Sequence, residues 1–159
     1  MNFKTHIAFA LLSGLLLVDY FPAGNKILFL AFVLIGSSLP DIDNASSKIG
    51  QRLKPISTFI QLFLGHRGIF HSIFLAILMP GLVYFYFSKA YGIALFAGYI
   101  SHLFIDALTK KGVNFLNPFL NLRMSGFIET GSILEFALFV LIAVIDAVLI
   151  AKVFVMAIF

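Results

Sequence analysis

Residues 133–159 read ILEFALFVLIAVIDAVLIAKVFVMAIF, a run from Ile133 to Phe159 in which only Glu135, Asp146 and Lys152 carry charge. About 20 predominantly apolar residues suffice for a helix to cross the hydrocarbon core of a bilayer. The run is long enough to do so, and it makes lipid the solvent against which the fold is read. The rest of the chain agrees: 61% of its 159 residues are apolar and 11% charged, with a mean hydropathy of +1.06. A soluble domain carries roughly 25% charged residues, so this chain lacks the charge to coat itself in water.

Working back from Ile133, four more apolar segments stand out: Ile7–Phe21, Ile27–Leu39, Ile73–Phe87 and Tyr91–Leu108. The first three are short for a full crossing, which needs roughly 17–25 residues. Pro22 and Gly24 suit a tight turn between the first two, and Ser88–Ala90 can join the third and fourth. Ile56–Leu64, after Pro55, reads as an interfacial helix, and Lys110–Ser132 as a loop rich in glycine. Lys4 followed by Ile7–Val18 has the outline of a signal peptide, but no A-x-A-like site follows, and the segment is read as retained. The expected architecture is all-α, a polytopic membrane bundle of about five helices forming one domain over 1–159.

If all five segments cross, the N-terminus, Asp41–Phe70 and Lys110–Ser132 share one side. That side holds eight of the 11 Lys and Arg residues, which places it in the cytoplasm. The net charge of +4 therefore reports topology first, and nucleic acid is a disfavoured partner. Membrane lipids are the expected surroundings. Oligomeric state is not legible.

The same side collects the chemistry. His6 begins the first helix; Asp41 and Asp43, in Leu39-Pro40-Asp41-Ile42-Asp43, end the second. His66, Arg67 and His71 precede the third, His102 and Asp106 lie in the last turns of the fourth, and Glu135 begins the fifth. Lys and Arg alone set the topology, so the convergence of acids and histidines on one side is independent of it. His102 and Asp106 are four apart and share a helix face, which Thr109 extends. With no cysteine in the chain, a metal site here uses imidazole and carboxylate, a mixture suited to zinc, manganese or iron. Each element alone has an ordinary structural reading, a solvated Asp-x-Asp turn or a His–Asp hydrogen bond inside a bundle. Jointly they point to one or two divalent ions. Asp146 lies roughly 16 Å along the helix from Glu135, too far for the same centre. An interior hydrogen-bonding role or a separate functional one both remain open for it.

These pieces resemble the YdjM-like family of inner-membrane-associated metal-dependent hydrolases. The matching segments are Thr5-His6, Ser38–Asp43, Gly50–Lys54, Gly65–Gly68 with His71-Ser72, Gly98–His102 with Asp106, Leu108-Thr109 with Gly112, and Gly131 with Glu135. They run in order from Thr5 to Glu135. Where family members often carry His after Asp-x-Asp, this chain has Asn44. The family is distantly similar to zinc-dependent phospholipase C and single-strand nucleases. That resemblance implies metal ligands His6, Asp41 or Asp43, His71, His102 and Asp106, with Asp106 bridging two ions. It implies an inner-membrane location with the site facing the cytoplasm, and hydrolysis of a lipid-like phosphoester. Asp43 or Glu135 would be the general base, Arg67 the phosphate fork and His66 an aid to the leaving group. The rival readings are an ion-binding transporter and a metal-stabilised scaffold.

Overall fold

A computed structural model describes residues 1–21, 25–45, 47–64 and 69–158, without the side chains of 60–64 and 154–158. Among these residues the chain forms seven α-helices, α1 (Phe3–Leu17), α2 (Lys26–Ser38), α3 (Lys48–Arg52), α4 (Lys54–Leu64), α5 (Ile73–Tyr86), α6 (Lys89–Ala107) and α7 (Ile133–Ile158). The five apolar segments are α1, α2, α5, α6 and α7, within a few residues of the expected limits. Two features depart from expectation. The short helix α3 precedes α4, begun by Ser47, whose Oγ accepts from Gly50 N at 2.8 Å. The loop after α6 carries a small antiparallel pair, β1 (Val113–Asn114) with β2 (Arg123–Met124). Local hydrophobic periodicity is silent on both, because each is too short to show a period.

Three stretches are long and apolar enough to cross a membrane: Phe3–Tyr20, Lys89–Ala107 and Ile133–Val153. Helices α2 and α5, of 13 and 14 residues, rise only about 20 and 21 Å against a hydrocarbon core of roughly 30 Å.

Helix α6 is the hub. It packs against α1, α2 and α5, while α7 packs on α1. The α2–α6 contact is made by small residues: a Cβ added at Gly98 would lie 1.9 Å from the Val33 carbonyl oxygen, and one at Gly36 would lie 2.2 Å from that of Leu95. Only glycine permits the two backbones to approach so closely, the usual device for helix association in lipid. Around this seam Val33, Phe29 and Ala10 pack with Ala94, and Ala76 packs with Tyr99 and Leu103. The exposed apolar residues of α7, such as Phe136, Val140 and Val144, suit a lipid-facing surface.

The helices alternate in direction, so the start of α1, the end of α2, the starts of α5 and α7 and the end of α6 meet at one end of the bundle. This is the end at which the polar site forms.

Candidate metal centre

His6 comes from the first turns of α1. Asp41 and Asp43 come from a 3-10 turn, Pro40–Asp43, that closes α2. His71 ends a similar turn, Ile69–His71, just before α5, and His102 and Asp106 face inward from the last turns of α6. The three histidines and Asp106 are at most 4% exposed. The rings of His6 and His102 stack 3.9 Å apart, and His71 meets His102 edge-on at 5.4 Å.

Hydrogen bonding decides which nitrogens face inward. His102 Nδ1 lies 2.7 Å from the Ser37 carbonyl oxygen. A carbonyl only accepts, so Nδ1 carries the proton and donates. In the neutral ring, Nε2 then offers a lone pair. His71 Nδ1 likewise donates to Asp43 Oδ2 at 3.2 Å, which leaves its Nε2 as a lone pair too. Both Nε2 atoms face Asp106 Oδ2, each at 3.8 Å. Three acceptors thus converge at a spacing too long for hydrogen bonds. Two ligands of a tetrahedral ion at about 2.0–2.2 Å stand about 3.3–3.6 Å apart, so a few tenths of an ångström of closure would seat a cation between them.

Two sets of ligand atoms each lie within 4.8 Å of one another: His6, His102 and Asp106, and Asp41, His71 and His102. Asp106 joins the two halves, with Oδ1 3.3 Å from His6 Nε2 and Oδ2 toward His71 and His102. Among the described residues, His6 Nδ1, His102 Nε2 and Asp43 Oδ1 are buried without hydrogen-bond partners. Unsatisfied buried polar atoms are rare and costly, and several together beside a carboxylate fit a divalent cation. The mixed imidazole–carboxylate donor set fits as well.

The sequence left open whether Asp41 or Asp43 belongs to the ligand set. In the structure Asp41 lies with His71 and His102 in a group that could hold an ion, while Asp43 Oδ2 stands 3.2 Å from His71 Nδ1, as in the carboxylate–histidine arrangement that orients metal ligands. Burial raises the Asp41 carboxyl above its ordinary value, against the pull of His6 and His71.

Glu135, one of the two candidate bases, sits among four hydrogen-bond donors. Its Oε1 accepts from Asn2 N at 2.5 Å and Thr5 Oγ1 at 3.0 Å; its Oε2 accepts from Asn2 Nδ2 at 3.0 Å and Gly131 N at 2.6 Å. Four donors fill the acceptor positions of the carboxylate. The group therefore ties the start of α1 to the start of α7, where both helix dipoles favour a negative charge. Thr109, expected to extend the ligand face, instead closes α6. Its Oγ1 donates to the Asp106 carbonyl at 2.7 Å and accepts from Gly112 N at 3.2 Å, and Gly112 turns the chain with φ +63°. Glu129, on the expected side, is exposed and paired with Lys110 at 2.8 Å, outside the cluster. His66, Arg67 and their proposed roles lie outside the described residues.

Other residues at the site left no mark in the sequence. The Met1 amino group lies 2.6 Å from Asp106 Oδ1 and is fully enclosed. Ser37 contributes its carbonyl to His102, and its Oγ donates to the His6 carbonyl oxygen at 3.4 Å. Tyr99 Oη donates to the Phe70 carbonyl at 2.6 Å and so holds the turn that presents His71. Such contacts use backbone atoms or a terminal group, which residue type does not reveal.

The family model described as YdjM inner membrane protein matches residues 1–159. The chain belongs to the YdjM inner membrane protein family. It is similar to the uncharacterized protein YvsG of Bacillus subtilis (strain 168), 31% identical over 137 residues and 85% of each chain. It is also similar to the inner membrane protein YdjM of Escherichia coli (strain K12), 38% identical over 86 residues. That match covers 50% of this chain and 44% of the relative, less than half its length. No solved structure matches. Family and hydropathy together make this an inner-membrane protein whose His–Asp cluster can hold a metal ion.

Proposed function

We propose that the chain is a membrane-embedded metal-dependent hydrolase that cleaves a phosphoester of a lipid or another amphiphilic substrate. The observation that carries this reading is the convergence of His71 Nε2 and His102 Nε2 on Asp106 Oδ2, each at 3.8 Å.

His6, Asp41, His71, His102 and Asp106 would hold one or two divalent ions, zinc first among them, with the two oxygens of Asp106 serving the two halves of the site. A metal bound there supplies a water of lowered pKa and polarises the phosphoryl oxygen. The Ser37 carbonyl keeps His102 in the tautomer that presents Nε2, and Asp43 Oδ2 does the same for His71. Asp43 is the base of this reading: its buried Oδ1 has no hydrogen-bond partner among the described residues, and it can take a proton while Oδ2 keeps its bond to His71. Glu135 acts as a strut rather than a base, since taking a proton would break at least one of its four hydrogen bonds. Arg67 binds the substrate phosphate through its planar fork, with His66 beside it assisting the leaving group. The eight basic residues on this side put the site toward the cytoplasm.

One observation favours a second reading, a metal-stabilised scaffold. The His–Asp residues, contributed by α1, α6 and the turns that follow α2 and precede α5, tie these elements together and are mostly buried, as the ligands of structural sites are. One experiment tests both. Purified protein is assayed for zinc, manganese and iron, then for release of phosphorylated headgroups from a panel of phosphomonoesters and phosphodiesters. The hydrolase reading expects metal in the wild type, its loss in Asp106→Ala, and turnover lost but metal kept in Arg67→Lys, because lysine lacks bidentate recognition. A metal-loaded wild type inactive across the panel would leave the scaffold.

A further inference from the structure

Two cavities meet along the seam between α1 and α7. One, of about 440 Å³, opens beside the helix starts, where Lys4, Lys48, Ser132 and Glu135 line it. The other, of about 490 Å³, runs down the seam over Ile7, Leu11, Ala143 and Ala147. Phe3, Lys4, Lys48 and Phe139 line both, so they form one continuous groove. Its open end is cationic. Lys4 and Lys48 are exposed, and among the described residues neither has a carboxylate within ion-pair distance, while Lys48 Nζ sits 5.3 Å over the Phe3 ring. Asn2 and Thr5 also line that end with Ser132 and Glu135, and the Glu135 carboxylate is already occupied by four donors. Further down the seam the lining is apolar apart from Asp146, which is 5% exposed and whose Oδ1 meets no partner among the described residues. From Phe139 to Ile150 the groove follows α7 for about 16 Å, close to half of a roughly 30 Å hydrocarbon core.

We propose that this groove binds one anionic phospholipid, with its phosphate between Lys4 and Lys48 and one acyl chain along the α1–α7 seam. Charge complementarity selects the occupant: two unpaired lysines stand at headgroup level above an apolar trough one leaflet deep. An acyl chain matches the trough in chemistry and length. A neutral chain would leave the lysines without a partner. The site uses none of the His–Asp cluster, and it stands whether or not the hydrolase reading holds.

The experiment is native mass spectrometry of the whole protein released from detergent. The protein is titrated with phosphatidylglycerol or with phosphatidylcholine of the same chains. Wild type is expected to retain one phosphatidylglycerol more tightly than phosphatidylcholine. Near an anionic surface each lysine contributes about 1 kcal/mol, or about fivefold, so Lys4→Gln with Lys48→Gln should weaken that lipid about thirtyfold. Ala147→Phe, at an exposed groove position, fills the trough and should weaken both lipids. Metal content and elution volume are followed in parallel as checks of folding, and the two exposed lysines give a second variant should Ala147→Phe misfold. Equal binding of the two lipids by wild type overturns the proposal. So does Ala147→Phe that keeps its lipid. A change in oligomeric state with unchanged lipid would make the groove an interface between copies. Loss of binding in Asp146→Asn would mean that the ligand is read by the carboxylate instead of by an acyl chain.

Discussion

Replacing Gly98 with alanine places a methyl carbon 1.9 Å from the Val33 carbonyl oxygen and 2.9 Å from Ser37 N. Real Cβ atoms essentially never come closer than 3.0 Å to such neighbours, and contacts of 3.0–3.4 Å are already tight. Both obstructing atoms belong to the α2 backbone, which cannot rotate away as a side chain can. The helices must therefore separate by about 1.1–1.5 Å, the kind of overpacking that costs about 1–3 kcal/mol. The Ser37 carbonyl lies on the same stretch of α2, 2.7 Å from His102 Nδ1. Separation by that amount lengthens the bond beyond hydrogen-bonding range. His102 then loses the contact that fixes its tautomer, and loss of such outer contacts typically lowers metal affinity about 10–100-fold. Gly36→Ala, pressing on the Leu95 carbonyl at 2.2 Å, should act in the same direction. The assay is competition with a chelator of known zinc affinity, together with thermal unfolding in the same detergent. Nitrogen-15 shifts of His102 report its tautomer. A Gly98→Ala protein with wild-type zinc affinity and an unchanged Nδ1-protonated His102 would refute the idea that the glycine seam sets the site.

The two aspartates of the turn after α2 should separate in their effects. Asp41→Asn should lower the amount of metal bound, whereas Asp43→Asn should keep most of it at reduced affinity and alter the His71 ring shifts; identical losses in both variants would erase the distinction. Glu135→Gln turns an amide toward donors that now meet a carboxylate, and should lower stability by about 2–4 kcal/mol, read as a fall in Tm. A Glu135→Gln protein as stable as wild type but without turnover would restore Glu135 as the base. Single cysteines at Ser47 and Ser125 should both resist a membrane-impermeant thiol reagent in intact cells, and labelling of either from outside would reverse the orientation inferred from the basic residues.

Much of the architecture is local information, and the chain carries it openly. In lipid every backbone group must be satisfied within its own helix. Apolar runs such as Ile133–Phe159 and Tyr91–Leu108 therefore become helices whatever their neighbours do. Counting their alternating directions brings His6, Asp41, Asp43, His71, His102 and Asp106 to one end of the bundle. The four-residue spacing of His102 and Asp106 puts them on one face before any tertiary contact is known. What the sequence could not decide is which atoms face one another. The division between Asp41 and Asp43, two residues apart in a 3-10 turn, depends on where that turn meets His71. The filling of Glu135 by Asn2, Thr5 and Gly131 depends on how α1 docks against α7. The Nδ1 proton of His102 depends on a backbone carbonyl 65 positions away, brought within reach because Gly36 and Gly98 let two helices almost touch. Residue types and spacings fix the end of a helix on which a ligand sits; the distance and rotation between helices, set by packing, decide which of its atoms a metal could meet.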